Sequence, residues 1–254
     1  MNGVVWITGG STGIGRATAL EFARRGWRVA TTARSTDKLQ TLVEDASGLL
    51  GDITAYPGDV TDPARMAEIV IAIEEELGEI DTAILNAGTF WSMTAEDFRA
   101  EVFRKTFEIN VMGTAIPVEQ LIPRMTRRGR GKIYVVASVS GYRGLPKASS
   151  YGFSKAGLIN MAEGLHTELK PHGVTFGVIN PGFIDTPLTR RNDFPMPFLM
   201  EVEKAASALT DGVLDGKFEV CFPRGFVWIL KLMRILPYAL YFPLVRWATR
   251  SRAD

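Results

Sequence analysis

Short apolar runs alternate with longer amphipathic segments along most of the chain, and this order restricts the fold more than any single motif does. "VVWIT" (4–8), "RVATTA" (28–33), "ITAYPGDV" (53–60), "DTAILNA" (81–87), "GKIYVVAS" (131–138) and "VTFGVINPG" (174–182) read as six strands. Between the first two, "GIGRATALEFARRG" puts Ile14, Ala17, Leu20 and Phe22 near one helical face, and Gly26 closes the helix. Strand and helix in repeated alternation predict parallel strands joined by crossover helices on both faces of a sheet. The expected architecture is therefore a doubly wound α/β sheet. No repeat of solenoid length and no low-complexity linker marks a second domain.

Composition removes several function classes. A chain of 254 residues, 46% hydrophobic and 22% charged, can bury a sizeable core. A net charge of +1 offers no basic field for nucleic acid. One cysteine, Cys221, excludes an internal disulfide, and two scattered histidines, His166 and His172, assemble no metal cluster from the usual ligands. An intracellular, metal-free protein is the expectation. The opening "MNGVVWITGG" enters a strand at once and carries no signal-peptide pattern.

"TGGSTGIG" (8–15) follows the first strand and opens the first helix. Glycines at 9, 13 and 15 permit a tight turn and let a pyrophosphate approach the helix N-terminus, where free N–H groups favour anions. Their spacing is G-x-x-x-G-x-G, and the strand before and helix after supply the context that such a turn needs to bind a dinucleotide. The second strand ends in Ala33 and Arg34, where an adenosine ribose would be read; an arginine there, in place of a carboxylate, favours NADP(H) over NAD(H). Asp37 lies near the distance at which the dinucleotide fingerprint expects its acid. "STDKL" instead reads as a helix start, with Ser35 or Thr36 as cap and Asp37 complementing the dipole. Asp59 and Val60 after the third strand, and Asn86, Ala87 and Gly88 after the fourth, suit plain turns; at the carboxyl ends of parallel strands they also line the ligand crevice.

"SYGFSK" (150–155) sets Tyr151 four positions before Lys155, a spacing that stacks both on one helix face. Alone, such a pair describes an ordinary solvated surface. Together with "TGGSTGIG", Asp59, "NAG", Asn110 in "FEINVMG", Ser138 in "VVASVSG" and "NPGFIDT" (180–186), it makes residues 3 to about 222 resemble the short-chain dehydrogenase/reductase family. The resemblance implies a Rossmann-like domain over 1–222 and a site of Asn110, Ser138, Tyr151 and Lys155. Tyr151 would act as general acid or base. Lys155 would favour its phenolate and hold the nicotinamide ribose, Ser138 would orient the substrate oxygen, and Asn110 would fix a proton-relaying water. The serine at the strand end, Ser138, fits the family's spacing better than Ser140 or Ser150. The resemblance further assigns Thr8, Gly9, Ser11, Gly13, Ile14, Gly15, Arg34, Asp59, Val60, Asn86, Ala87 and Gly88 to the cofactor. Tyr151, Lys155, Pro181, Gly182, Ile184 and Thr186 would complete that set.

The family's substrate lid would span about 187–210. "PLTRRNDFPMPFLM" there carries Phe194, Met196, Phe198, Leu199 and Met200, which either meet a lipid-like, steroid-like or aromatic carbonyl or alcohol, or pack the lid on the core. Residues 223–254 depart from the family. Apolar yet broken by Lys231, Arg234, Pro237 and Pro243, they lack the span of about 20 apolar residues that crosses a bilayer. A helix would gather Arg224, Lys231 and Arg234 on one side, with Phe226, Ile229, Met233 and Leu236 on the other. Residues 224–252 then suit a membrane surface, with Trp247, Arg246, Arg250 and Arg252 as anchors, or an oligomer interface. The expected protein is an NADP(H)-dependent carbonyl reductase or alcohol dehydrogenase, a homo-oligomer, cytoplasmic or at the inner membrane surface, with no nucleic-acid partner. A nucleotide-sensing or scaffold protein on the same fold is the rival reading.

Overall fold

Seven parallel strands form one sheet in the order β3-β2-β1-β4-β5-β6-β7. The computed structural model describes residues 2–191 and 196–249. The strands are β1 (Val4–Thr8), β2 (Arg28–Thr32), β3 (Ile53–Ala55), β4 (Ile80–Leu85), β5 (Gly131–Val136), β6 (Val174–Pro181) and β7 (Glu219–Phe222). Crossovers are made by α1 (Gly13–Arg24), α2 (Thr36–Asp45), α3 (Pro63–Glu76), α4 (Ala100–Phe107), α5 (Gly113–Arg128), α6 (Ser149–Leu169) and α7 (Val202–Leu214). The chain begins at the sheet centre, winds outward to β3, then returns past β1 to start β4. Strand order reverses at that pair, the place where such sheets bind ligands.

The two-residue period of the strands builds two cores. Val4 and Trp6 of β1 face Ile69, Ile73, Leu121 and Leu158 on one side, while Val5 and Ile7 face Phe22, Leu42, Leu209 and Val213 on the other. The Trp6 indole donates to Thr32 Oγ1 across the β1–β2 register at 2.9 Å, which satisfies its only donor inside the sheet. Asp62 caps α3 by accepting from the Arg65 N–H at 3.0 Å, with Pro63 pre-set in the first turn.

Two strand readings change. β3 ends at Ala55, short of 60, because Pro57 interrupts the ladder, although Tyr56 and Gly58 still donate to Thr31 and Ala33 and carry the chain on to Asp59. β7 is a seventh strand that the six-strand reading lacks; four residues with only Val220 and Phe222 buried carry almost no periodic signal. Within the expected lid span, α7 begins at Val202 and buries Ala205, Ala206, Leu209 and Val213 on its inner side.

The chain ends in two further helices, α8 (Arg224–Ile235) and α9 (Tyr238–Thr249), parted by Pro237. Among the described residues no helix is long and apolar enough to cross a membrane. The pair is held by few contacts. The Arg143 guanidinium donates to the carbonyls of Met233 (2.7 Å), Arg234 (3.2 Å) and Leu236 (2.7 Å), capping α8, and lies over the rings of Tyr238 and Tyr241. Tyr241 donates to Gly144 O at 2.6 Å, and Lys231 turns inward to Glu219. The expected two-sided division of α8 is not the one that separates inside from outside. Phe226, Met233 and Leu236 are half-buried beside Lys231, while Trp228, Ile229, Leu232 and Ile235 face solvent. Arg250 and Arg252, expected as anchors, lie outside the described residues.

Arg143→Ala should cost about 2 kcal/mol, because three helix-end carbonyls lose a charged donor. Hydrogen exchange should show faster exchange confined to α8 and α9, with the sheet unchanged.

Candidate active site

The site is built where β1 and β4 end side by side. Thr8 Oγ1 accepts from the Asn86 and Ala87 N–H groups at 3.0 and 3.2 Å, and the Asn86 amide donates back to the carbonyls of Thr8 (3.1 Å) and Gly9 (3.2 Å). This lock fixes the glycine turn against the fourth strand. Gly9 has φ +68°, and a Cβ there would lie 2.9 Å from the Ala87 backbone; one on Gly15 would lie 2.4 Å from Gly9 O. Gly13 at φ +55° lets Thr186 approach, its Cγ2 standing 3.3 Å from where a Cβ would be. Ser11 and Ile14 are half-buried in the same turn. Thr12, at the start of α1, gives its helix no side-chain cap, and the first turn holds no acid. Its N–H groups are left for an anion, so the cradle suits the pyrophosphate of a dinucleotide.

Further along this edge stand Arg34 and Asp59. Arg34 is exposed, its guanidinium 3.9 Å from Asp59, whose other oxygen accepts from the Thr61 N–H and hydroxyl at 3.0 and 2.9 Å. Val60 is buried against Gly113. Asp37 sits exposed in the first turn of α2, as its reading as a helix-dipole residue requires. Ser35 occupies the N-cap position, but neither it nor Thr36 makes the expected capping bond; Ser35 stays extended without a side-chain bond to the helix.

The reaction end is assembled from β5, α6 and the turn after α4. Ser138 closes β5; its hydroxyl accepts from the Ser140 N–H at 3.1 Å and lies 3.5 Å from Pro181 O. Ser150 is buried against Thr106 at 3.4 Å, away from this cluster, and Ser140 contributes its backbone. Of the three candidate serines, Ser138 alone presents its hydroxyl to Tyr151. Asn110 lies in a π-helical turn (Glu108–Met112), fully buried. Its side chain accepts from the Thr89 N–H at 2.8 Å and donates to Thr89 O at 3.1 Å and Ser154 Oγ at 3.0 Å. A Cβ added to Gly88 would meet Asn110 Oδ1 at 3.3 Å and Lys155 Nζ at 3.5 Å, so glycine at 88 keeps these two groups in one space. Ile184 is buried below Gly182, which Phe226 and Pro223 hem in.

Burial controls the charges here. It pushes the Tyr151 phenol above its ordinary pKa, while the facing Ser138 hydroxyl pulls the other way. It also pushes the Lys155 ammonium down to about 8. Lys155 donates to Val136 O at 2.7 Å, and its nitrogen stands 5.5 Å from the Tyr151 ring centre. Desolvation is the larger of the two influences on the Tyr151 phenol.

Phe90 stands against Tyr151, and a second aromatic group lies by Gly182. Phe90 meets its ring edge-on at 5.3 Å, and Phe226 stacks on Phe183 (5.5 Å) and Phe198 (5.8 Å). Phe90 and Ser154 escaped the sequence reading, and Phe226 was read there only as part of the tail's apolar face. Phe90 had a usable signal, lying two residues past the "NAG" strand end; Ser154, 44 residues from the asparagine it holds, had none. Phe194 lies outside the described residues.

Comparison with known proteins shows the family and the fold. The family model described as short chain dehydrogenase matches residues 3–194. An uncharacterized oxidoreductase of Myxococcus xanthus is 35% identical over 235 residues, 92% of this chain and 93% of that protein. An 11-beta-hydroxysteroid dehydrogenase-like protein of Arabidopsis thaliana is 31% identical over 241 residues, 92% of this chain and 78% of its own. The structure of a short-chain dehydrogenase from Sphingobium yanoikuyae in complex with NADPH superposes with a TM-score of 0.79 at 27% identity, covering 94% of this chain and 97% of that one. By motif, fold and sequence, the chain belongs to the short chain dehydrogenase family of oxidoreductases.

Proposed function

We propose that the protein is an NADP(H)-dependent oxidoreductase that interconverts a hydrophobic carbonyl compound and its alcohol. The observation that carries this reading is the convergence of Ser138, Tyr151 and Lys155 at the carboxyl edge of the sheet, beside an uncapped glycine turn that suits a dinucleotide. When bound, the nicotinamide supplies or accepts the hydride. The glycine turn and α1 amides hold its pyrophosphate, and Lys155, Asn86 to Gly88, Pro181 to Ile184 and Thr186 flank the rest. Arg34, exposed at the end of β2, pairs with a 2′-phosphate.

Tyr151 is the proton donor in reduction. Its raised pKa keeps the phenol protonated at neutral pH, which suits an acid facing a carbonyl oxygen. Ser138 holds that oxygen and stabilises the charge that grows on it. Lys155, desolvated and tied to Val136 O, carries a proton between the phenol and the space bounded by Gly88 and Asn110. Phe90, Phe183, Phe198 and Phe226 exclude water and favour an apolar substrate, in keeping with the steroid named for the Arabidopsis relative.

Tyr151→Phe should lower kcat for ketone reduction by about 10²–10⁴-fold while NADPH binding changes little; unchanged turnover would remove Tyr151 from the acid role, and NADPH binding without turnover in the parent protein on any hydrophobic carbonyl would favour a sensing role. Arg34→Ala should raise the apparent KM for NADPH about tenfold or more and leave NADH nearly untouched; equal affinities before and after would contradict the 2′-phosphate assignment. Lys155 adds a pH test. Its pKa of about 8 in the fold lies below the value of about 10.4 in an unfolded chain. The unfolded state holds the proton more tightly, so burial of Lys155 costs stability below pH 8 and that cost fades as pH rises from about 8 to about 10.5. Lys155→Met should therefore raise Tm at pH 7, with a gain that shrinks towards pH 10, while abolishing turnover.

A further inference from the structure

The outer face of α8 and α9 is apolar where a soluble surface is ordinarily charged. Nine of the seventeen large hydrophobic side chains exposed among the described residues fall between Trp228 and Trp247. Trp228, Ile235 and Trp247 are each at least 70% exposed. The charge around them has one sign. Residues 220–249 contain no aspartate or glutamate, and Arg224, Arg234 and Arg246 are all exposed, while Lys231 is turned inward to Glu219. An apolar patch whose own helices expose arginines and no acid complements a surface that is apolar inside and anionic at its boundary. Each helix has 12 residues, about 18 Å at 1.5 Å per residue, too short for a hydrocarbon core of about 30 Å. Such helices can lie in an interface but not span it.

We infer that α8 and α9 dock the protein onto an anionic lipid bilayer, with Trp228, Leu232, Ile235, Phe242 and Trp247 seated among the acyl chains and Arg224, Arg234 and Arg246 at the headgroups. The mount is built for it. Arg143 and Tyr241 fasten the two helices to the loop that follows Ser138, so the patch is carried next to that loop. Phe226 on the inner side of α8 meets Phe183 and Phe198 and hems in Gly182, so the helix that carries the patch also borders the segment after β6 assigned to the cofactor. That last step rests on the reductase reading; the docking itself does not.

The test is co-sedimentation of the full chain with vesicles of phosphatidylcholine, alone or mixed with phosphatidylglycerol, with no assay of turnover. Binding to the mixed vesicles, weak on phosphatidylcholine alone and weakened by salt, is expected. Trp228→Glu with Leu232→Glu should abolish it, while thermal melting shows the exposed substitutions fold normally. Arg224→Gln with Arg246→Gln should reduce partitioning about thirtyfold. Absence of binding to the mixed vesicles would overturn the inference, as would equal binding to both vesicle types that ignores the arginine changes. A dimer in sedimentation that Trp228→Glu breaks, without vesicle binding, would also overturn it and assign the patch to a second copy of the chain. None of these outcomes bears on whether the site reduces carbonyls.

Discussion

The hydrogen bonds between Thr8 and Asn86 join the carboxyl ends of β1 and β4 where the strand order reverses, and the geometry of the site follows from that junction. A threonine hydroxyl accepting from two consecutive amides, with an asparagine amide returned to two carbonyls, leaves the backbone groups there paired without closing the crevice. Gly9 and Gly15 can then pack against Asn86 only because neither has a Cβ. The next strand, β5, is set by β4 and delivers Ser138 to the same edge; α6 crosses behind it and delivers Tyr151 and Lys155. Displacing the Thr8–Asn86 junction would therefore move the anion cradle and the reaction end relative to each other.

Desolvation is the second organising influence. The same burial that keeps the Tyr151 phenol protonated costs the fold a partly uncompensated ammonium at Lys155, with a backbone carbonyl as its partner. A buried ammonium with one carbonyl partner is the kind of perturbed group that the proposed role of Lys155 calls for. The Glu219 cluster shows the contrast. Burial works against that carboxylate, yet Lys231, Tyr142 and Asn180 together hold it below its ordinary range, as befits an anchor for α8.

How far the sequence could be read depends on the range of the forces involved. The parallel sheet, the glycine turn and the order of elements were legible because apolar periodicity and positive-φ glycines are written locally. The place of Ser138 just past the end of β5 was also readable. β7 was not, since four residues carry two buried positions. The partition of α8 differs from the reading because apolar residues lie on both its sides: hydrophobicity groups Ile229 with Phe226, Met233 and Leu236, whereas Glu219, drawing in Lys231, and Arg143, capping the far end, decide which side docks. Contacts 44 to 97 residues apart, such as Asn110 with Ser154 or Tyr241 with Gly144, leave no local trace.

The most direct test follows the transferred atom. NADPH bearing deuterium at the reactive C4 position would be incubated with the protein and a hydrophobic ketone, and the product alcohol examined by mass spectrometry. Deuterium at the carbinol carbon is the predicted result, since it requires cofactor, substrate and proton donor to meet in one site. Bound NADPH whose label never reaches any carbonyl substrate would contradict the account.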